Sequence, residues 1–97
     1  VKERVFLIHI GDLAKRKSLS LLETLRANHI NVTESLGKES MAAQLRVADK
    51  IMSPLALIFG QKEAYEESII IRDMKTGAQE IVPLAKVSDM IKKKLNS

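Results

Sequence analysis

Two nearly unbroken apolar segments, Val5–Ile10 (VFLIHI) and Leu55–Phe59 (LALIF), constrain this chain more than any other feature. Each is far shorter than the roughly 20 apolar residues that cross a bilayer. Neither alternates between apolar and polar positions, as a strand with one wet face would. Both therefore read as buried strands, the kind found in parallel sheets whose two faces are covered by helices. Each ends at a glycine, Gly11 and Gly60, where the chain can turn out of the sheet.

The segments between them supply those helices. From Leu13 to about Asn28 the small or apolar positions Ala14, Ser18, Leu21, Leu22 and Leu25 follow the helical period, with Asp12 expected as the cap. Asn31–Ser35 reads as a short second strand. Gly37 then breaks the chain, and a helix is predicted from Lys38 to Met52, with Met41, Leu45, Ala48 and Met52 on its inner face. Ser53-Pro54 stops it, because the residue before a proline is pushed out of the helical region. After Gly60, QKEAYEE is long enough for one or two helical turns. Ser68–Arg72 and Gln79–Val82 form a hairpin around DMKTG, where Gly77 can take a positive φ. A last helix carries the stripe Leu84, Val87, Ile91 and Leu95, with Lys92, Lys93 and Lys94 in its final turns, where the helix dipole favours cations. The fold class is α/β: a three-layer α/β/α arrangement with a five-stranded mixed sheet, one strand antiparallel, and three main helices. Right-handed crossovers place the loops after the parallel strands, beginning at Gly11, Ser35 and Gly60, on one rim, where ligands of open α/β sheets gather.

Length and composition limit function. At 97 residues there is room for one domain with one core. There is no cysteine, which removes disulfides, thiolate nucleophiles and cysteine metal sites, and suits a reducing compartment; a cytoplasmic protein is expected. Aromatic residues are only 3% of the chain, so a base-stacking platform has little to draw on. The net charge of +4 favours anionic partners without amounting to a polybasic tail. Valine at position 1 suggests a piece of a longer polypeptide.

No catalytic constellation is evident. His9 and His29 lack a second ligand at metal or acid/base spacing, and the four glycines stand singly, so neither a metal site nor a phosphate-cradling loop is expected. Lys15, Arg16 and Lys17 are different. They occupy the first turns of a predicted helix, where each exposed cation is unfavourable by roughly 0.3–1 kcal/mol. Together with the backbone N–H groups after Gly11 they would bind phosphate; the plainer alternative is a solvated polar face screened by salt. Lys38 and Lys62 also follow parallel strands and are expected on the same rim, beside Glu63, Glu66 and Glu67. Lys75 and Lys92–Lys94 should lie elsewhere.

Four segments in order, VFLIHIGD, QLRVADK (Gln44–Lys50), GQKE (Gly60–Glu63) and RDMKTG with Gln79, resemble the C-terminal anticodon-binding domain of histidyl-tRNA synthetases, which are class II aminoacyl-tRNA synthetases. The resemblance covers nearly the whole chain, and the five-stranded mixed sheet of that family agrees with the architecture read above. It implies that Glu63 and Arg72, nine positions apart, help read anticodon bases; with the cations expected on the rim, Lys15, Arg16, Lys17, Lys38 and Lys62, and with Gly11 and Gln44, they make up the expected tRNA-binding surface. A carboxylate suits the N–H donors of guanine and an arginine suits carbonyls or phosphate. The plainer roles are a local cap for Glu63 and an outward strand position for Arg72. The loop Ser35–Ser40 is less glycine-rich than in many relatives, and Ser53-Pro54 departs from the usual pattern. The resemblance further implies a homodimeric parent whose separate catalytic domain uses ATP and magnesium to join histidine to tRNA; its signature segments are absent from this chain. A synthetase-like protein-interaction or regulatory module is the alternative, and a small sheet-edge enzyme ranks last.

Overall fold

The computed structural model describes residues 4–35 and 40–96. Strand β1 (Arg4–His9) leads into helix α1 (Asp12–Ala27), and β2 (Asn31–Glu34) is followed by α2 (Met41–Lys50). Then come β3 (Leu55–Phe59), the short α3 (Gln61–Glu66), the strands β4 (Ser68–Asp73) and β5 (Gln79–Pro83), a 3-10 turn (Leu84–Lys86) and α4 (Val87–Leu95). The sheet order is β2-β1-β3-β4-β5. β1 is parallel to β2 and to β3, whereas β4 is antiparallel to both its neighbours, so it is the one reversed strand.

The two apolar segments occupy the centre of this sheet, and the burial of every residue from Leu55 to Phe59 explains their lack of alternation. Their odd and even positions feed different cores. Val5, Leu7, Leu57 and Phe59 join Leu21, Leu22 and Leu25 of α1 and Val87 and Ile91 of α4 in the larger one. Phe6, Ile8, Ala56 and Ile58 meet Ala48 of α2 on the opposite face, with Leu45, Ile70 and Met74 packed at its margin. Three layers result. The predicted stripe of α1 is buried throughout; of the last stripe Val87 and Ile91 are buried, while Leu95 and Leu84, the latter in the 3-10 turn before α4, are partly buried.

Three details depart from expectation, the first being that α2 begins at Met41, capped by the Ser40 side chain, inside the start predicted at Lys38. Asp12 is the first residue inside α1 rather than its cap; Gly11 holds the capping position with φ 99° and ψ 158°, a conformation essentially reserved for glycine. Asp12 instead places a negative charge in the first turn, against the positive end of the dipole. In α2, Ala48 and Leu45 do face the sheet, but Met41 is 42% exposed and Met52 85% exposed. The helix ends at Lys50 and Met52 takes a left-handed φ of 58°, so the helical period no longer governs where its side chain points. Gln44 takes the inner position instead.

The hairpin between β4 and β5 closes as its residue types dictate. Asp73 Oδ1 accepts the backbone N–H groups of Lys75 and Thr76 at 2.8 and 3.1 Å, and Gly77 supplies the positive φ of 82°. These two donors hold the Asp73 carboxyl below the usual carboxylate range.

Candidate nucleic-acid interface

The rim of the sheet is built where β1 and β3, paired in parallel, both end: Gly11 and α1 follow one, Gly60 and α3 the other. The two helices are fastened side by side. The Leu13 backbone N–H donates to Gln61 Oε1 at 3.3 Å, and Lys17 Nζ donates to the Ala64 carbonyl at 2.9 Å, which closes the last turn of α3. Gln61 meets Leu13 and Ala64 meets Lys17, so the helices run alongside one another in the same direction. A Cβ at Gly11 would collide with the Gln61 side chain, so the glycine permits this approach as well as the turn.

Most residues singled out in the sequence are placed at this end. Lys15 and Arg16 are exposed on α1 and Lys62 is exposed on α3. Lys17 is half-buried and committed to Ala64, so its charge serves the α1–α3 clamp before any ligand. Glu63 is also half-buried, with Oε1 accepting the Gly60 N–H at 3.1 Å. That bond caps α3, and the carboxylate retains lone pairs for a further donor.

Other residues are not presented on the rim surface, Gln44 because it is buried beneath the end of β2 and Arg72 because it lies further down the sheet. Gln44 is 1% exposed, and its Oε1 accepts a hydrogen bond from the Ser35 hydroxyl, which ties α2 to the end of β2; its side chain is a buried strut and does not face solvent. Arg72 lies opposite Ala56, near the start of β3, while Glu63 lies beyond the end of that strand. Three residue steps along β3 separate the level of Arg72 from Phe59, about 10 Å at the usual strand rise. Glu63 and Arg72 are thus set apart along the sheet and are not an adjacent pair. Arg72 is half-buried on the α2 side of the sheet, where Nη1 donates to Gln79 Oε1 at 2.8 Å and Nε is buried with no partner among the described residues. Lys38 lies outside the described residues.

Lys75 and Lys94 lie away from the rim, whereas Lys86, not singled out in the sequence, is exposed in the turn after β5 at the rim end of the sheet. Lys75 is in the β4–β5 turn at the opposite end of the sheet, and Lys94 pairs with Glu80 at 2.9 Å. His9 is paired with Glu34 at 3.2 Å across β1 and β2. Among the described residues no three His, Cys, Asp or Glu side chains gather as a metal site, and no helix is long and apolar enough to cross a membrane. A groove of about 620 Å³ runs between α1 and the start of α4; of the residues expected on the tRNA-binding surface, only Lys17 touches its wall.

Sequence reasoning passed over Gln61, whose role as the bridge to α1 depends on a partner 48 positions away. It also passed over Tyr65, which stands 81% exposed on α3. Its only signal was its position in a charged, helix-compatible stretch directly after the rim glycine.

Known proteins share this design. The chain is 33% identical over 91 residues to the histidine–tRNA ligase of Clostridioides difficile, an alignment covering 94% of the chain and 22% of that protein. It is 34% identical over 93 residues to the corresponding ligase of Caldicellulosiruptor saccharolyticus, covering 95% of the chain and 22% of the relative. The chain thus spans about a fifth of the length of these relatives. Among solved structures, histidyl-tRNA synthetase from Nostoc superposes with a TM-score of 0.87 at 26% identity, over 97% of this chain and 22% of that one. The RNA binding domain of threonyl-tRNA synthetase from Cryptosporidium parvum has the same fold, with a TM-score of 0.83 at 16% identity, over 95% of this chain and 23% of that one. The family model described as "Anticodon binding domain" matches residues 4–94, and the chain belongs to that family.

Proposed function

We propose that this chain is the tRNA anticodon-binding domain of a histidine–tRNA ligase, giving tRNA selectivity to a reaction carried out elsewhere in the same protein. The observation that carries this reading is the α1–α3 clamp, which holds the exposed Lys15, Arg16 and Lys62 and the half-buried Glu63 at one rim of a domain of this family. Exposed cations at the mouth of the sheet suit the phosphates of an RNA loop, and phosphate contacts position without specifying sequence. Glu63 and Arg72, set apart along the sheet, suit selective contacts to bases splayed out of the loop. Catalysis belongs to a separate domain, which would use ATP and magnesium to activate histidine, in a homodimeric parent.

The test is a titration of the intact protein with anticodon stem-loops, matched and mismatched, at several salt concentrations. The expected result is a preference of at least tenfold for the histidine anticodon, superimposed on a salt-dependent background. Equal affinity for every loop, varying only with salt, would refute selective anticodon binding and leave a generic polyanion surface.

A further inference from the structure

The three aromatic side chains of this chain have divided fates. Phe6 is 2% exposed and Phe59 is fully buried, both in the sheet, whereas Tyr65 is 81% exposed. An isolated tyrosine in water is an ordinary surface residue. Tyr65 is distinguished by what holds it. The six-residue helix that carries it is pinned by the Gly60–Glu63 cap, by Gln61 against the start of α1, and by Lys17 on the Ala64 carbonyl, the residue immediately before the tyrosine. The backbone beneath the ring is therefore anchored from both sides. Leaving α3, Glu67 adopts φ 55°, and Ser68 enters β4 at once.

Helical geometry sets its neighbours. Tyr65 follows Gln61 by four residues and Lys62 by three, so it shares a face with both, and the Gln61 side of α3 is the side turned toward α1. Lys62 is exposed on α3 itself, and Arg16 is exposed on the second turn of α1, one residue before the Lys17 that bonds the Ala64 carbonyl. Glu63, two residues before Tyr65, projects about 200° away around the helix and folds back on Gly60. The ring therefore lies outside the Glu63 contact, flat apolar area with Lys62 on one side and the exposed carboxylates of Glu66 and Glu67 on the other, so cations are available to phosphates only on the Lys62 side.

We infer that Tyr65 is a stacking platform for an unpaired base of the tRNA anticodon loop, a base other than the one that meets Glu63, with the adjoining phosphates held by Lys62 and Arg16. The inference rests on the anticodon-binding reading above. Every base offers a π face, so such a stack adds affinity with little regard to base identity, and it complements the selective contacts of Glu63 and Arg72. The phenol also has a low entropy cost, since only two torsions must be fixed.

The experiment uses the intact protein and anticodon stem-loops carrying 2-aminopurine at each unpaired position in turn. Tyr65→Leu should weaken binding roughly 5- to 150-fold, the range that a stacked base supplies. Its salt dependence should stay unchanged because every phosphate keeps its cation. Tyr65→Phe, which retains the ring, should bind within about twofold of the parent. Quenching at one loop position should persist in the Phe variant and vanish in the Leu variant. A Lys15→Ala/Arg16→Ala variant serves as the reference. If that variant loses affinity and Tyr65→Leu does not, while the parent still prefers the matched loop over mismatched ones, the stack is refuted and the anticodon reading stands. If neither loses affinity, the anticodon reading itself falls. Equal losses in the Phe and Leu variants would assign the effect to the hydroxyl and overturn the stacking proposal.

Discussion

Gly11→Ala isolates the turn on which the rim depends. At φ 99° and ψ 158° the residue occupies backbone space that costs a side-chain-bearing residue of order 1–3 kcal/mol. The new Cβ also meets the Gln61 side chain, forcing it off the Leu13 N–H and forfeiting a hydrogen bond worth roughly 0.5–1.5 kcal/mol. The sum is about 2–4 kcal/mol. For a chain of this length each 1 kcal/mol lowers Tm by roughly 4–8 °C, so a fall of about 8 °C or more is expected in thermal unfolding. Gln61→Ala separates the two contributions. Alone it removes only the hydrogen bond, at about 1 kcal/mol, and combined with Gly11→Ala it relieves the collision but leaves the backbone term. A Gly11→Ala chain within about 0.5 kcal/mol of the parent in urea denaturation would refute the reasoning. So would full rescue by Gln61→Ala, which would make the contact purely steric.

Three further outcomes follow from the same structure. Lys15→Ala and Arg16→Ala should each lower the slope of log affinity for anticodon stem-loops against log salt by roughly 0.7–0.9 for each phosphate left without its cation; Lys17→Met should leave the slope intact and destabilise by about 1 kcal/mol, because its ammonium is bonded to Ala64, and an equal change of slope for all three would contradict this. Gln44→Ala should cost about 2–3 kcal/mol in denaturant unfolding, through a buried void and an abandoned Ser35 hydroxyl; a lowered RNA affinity with unchanged stability would point to contact instead. Asp73→Asn should remove a pH dependence: with its folded pKa held below the unfolded value near ~3.9, Asp73 stabilises fully above that value and progressively less as pH falls through the lower folded one, so the difference between parent and variant should shrink in acid, and a difference independent of pH would count against the turn bonds as its source.

What could be read from sequence followed from how strongly each segment is constrained. VFLIHI and LALIF had no role available except central strands, and the α1 stripe from Ala14 to Leu25 left a single face to bury. The inner face of α2 was less legible. Hydropathy favoured Met41 and Met52, but a glutamine satisfied by Ser35 packs there, and polar satisfaction by a residue from another segment leaves no periodic trace. The rim was legible in outline, because chain order after parallel strands determines which loops meet. Its internal division was not. Lys15, Arg16 and Lys17 are alike in sequence, yet only Lys17 lies within reach of Ala64, 47 positions later. The distance between Glu63 and Arg72 was likewise hidden, since nine intervening residues could form a tight turn or, as here, a helix followed by a descending strand.

The unequal furnishing of the two sheet faces has a consequence for how such a domain can change. On one side α1 and α4 interlock with every central strand, and a poor fit there would reach most of the molecule. On the other, α2 shelters a small patch around Phe6 and Ile58, and the row Ile8, Ile58, Ile70, Ile81 passes from fully enclosed to 66% exposed across four strands. Variation on the β4–β5 portion of that second side is cheap for stability. A lineage could therefore re-tailor the surroundings of Arg72 and Gln79 while its scaffold, secured from behind, stayed as it was.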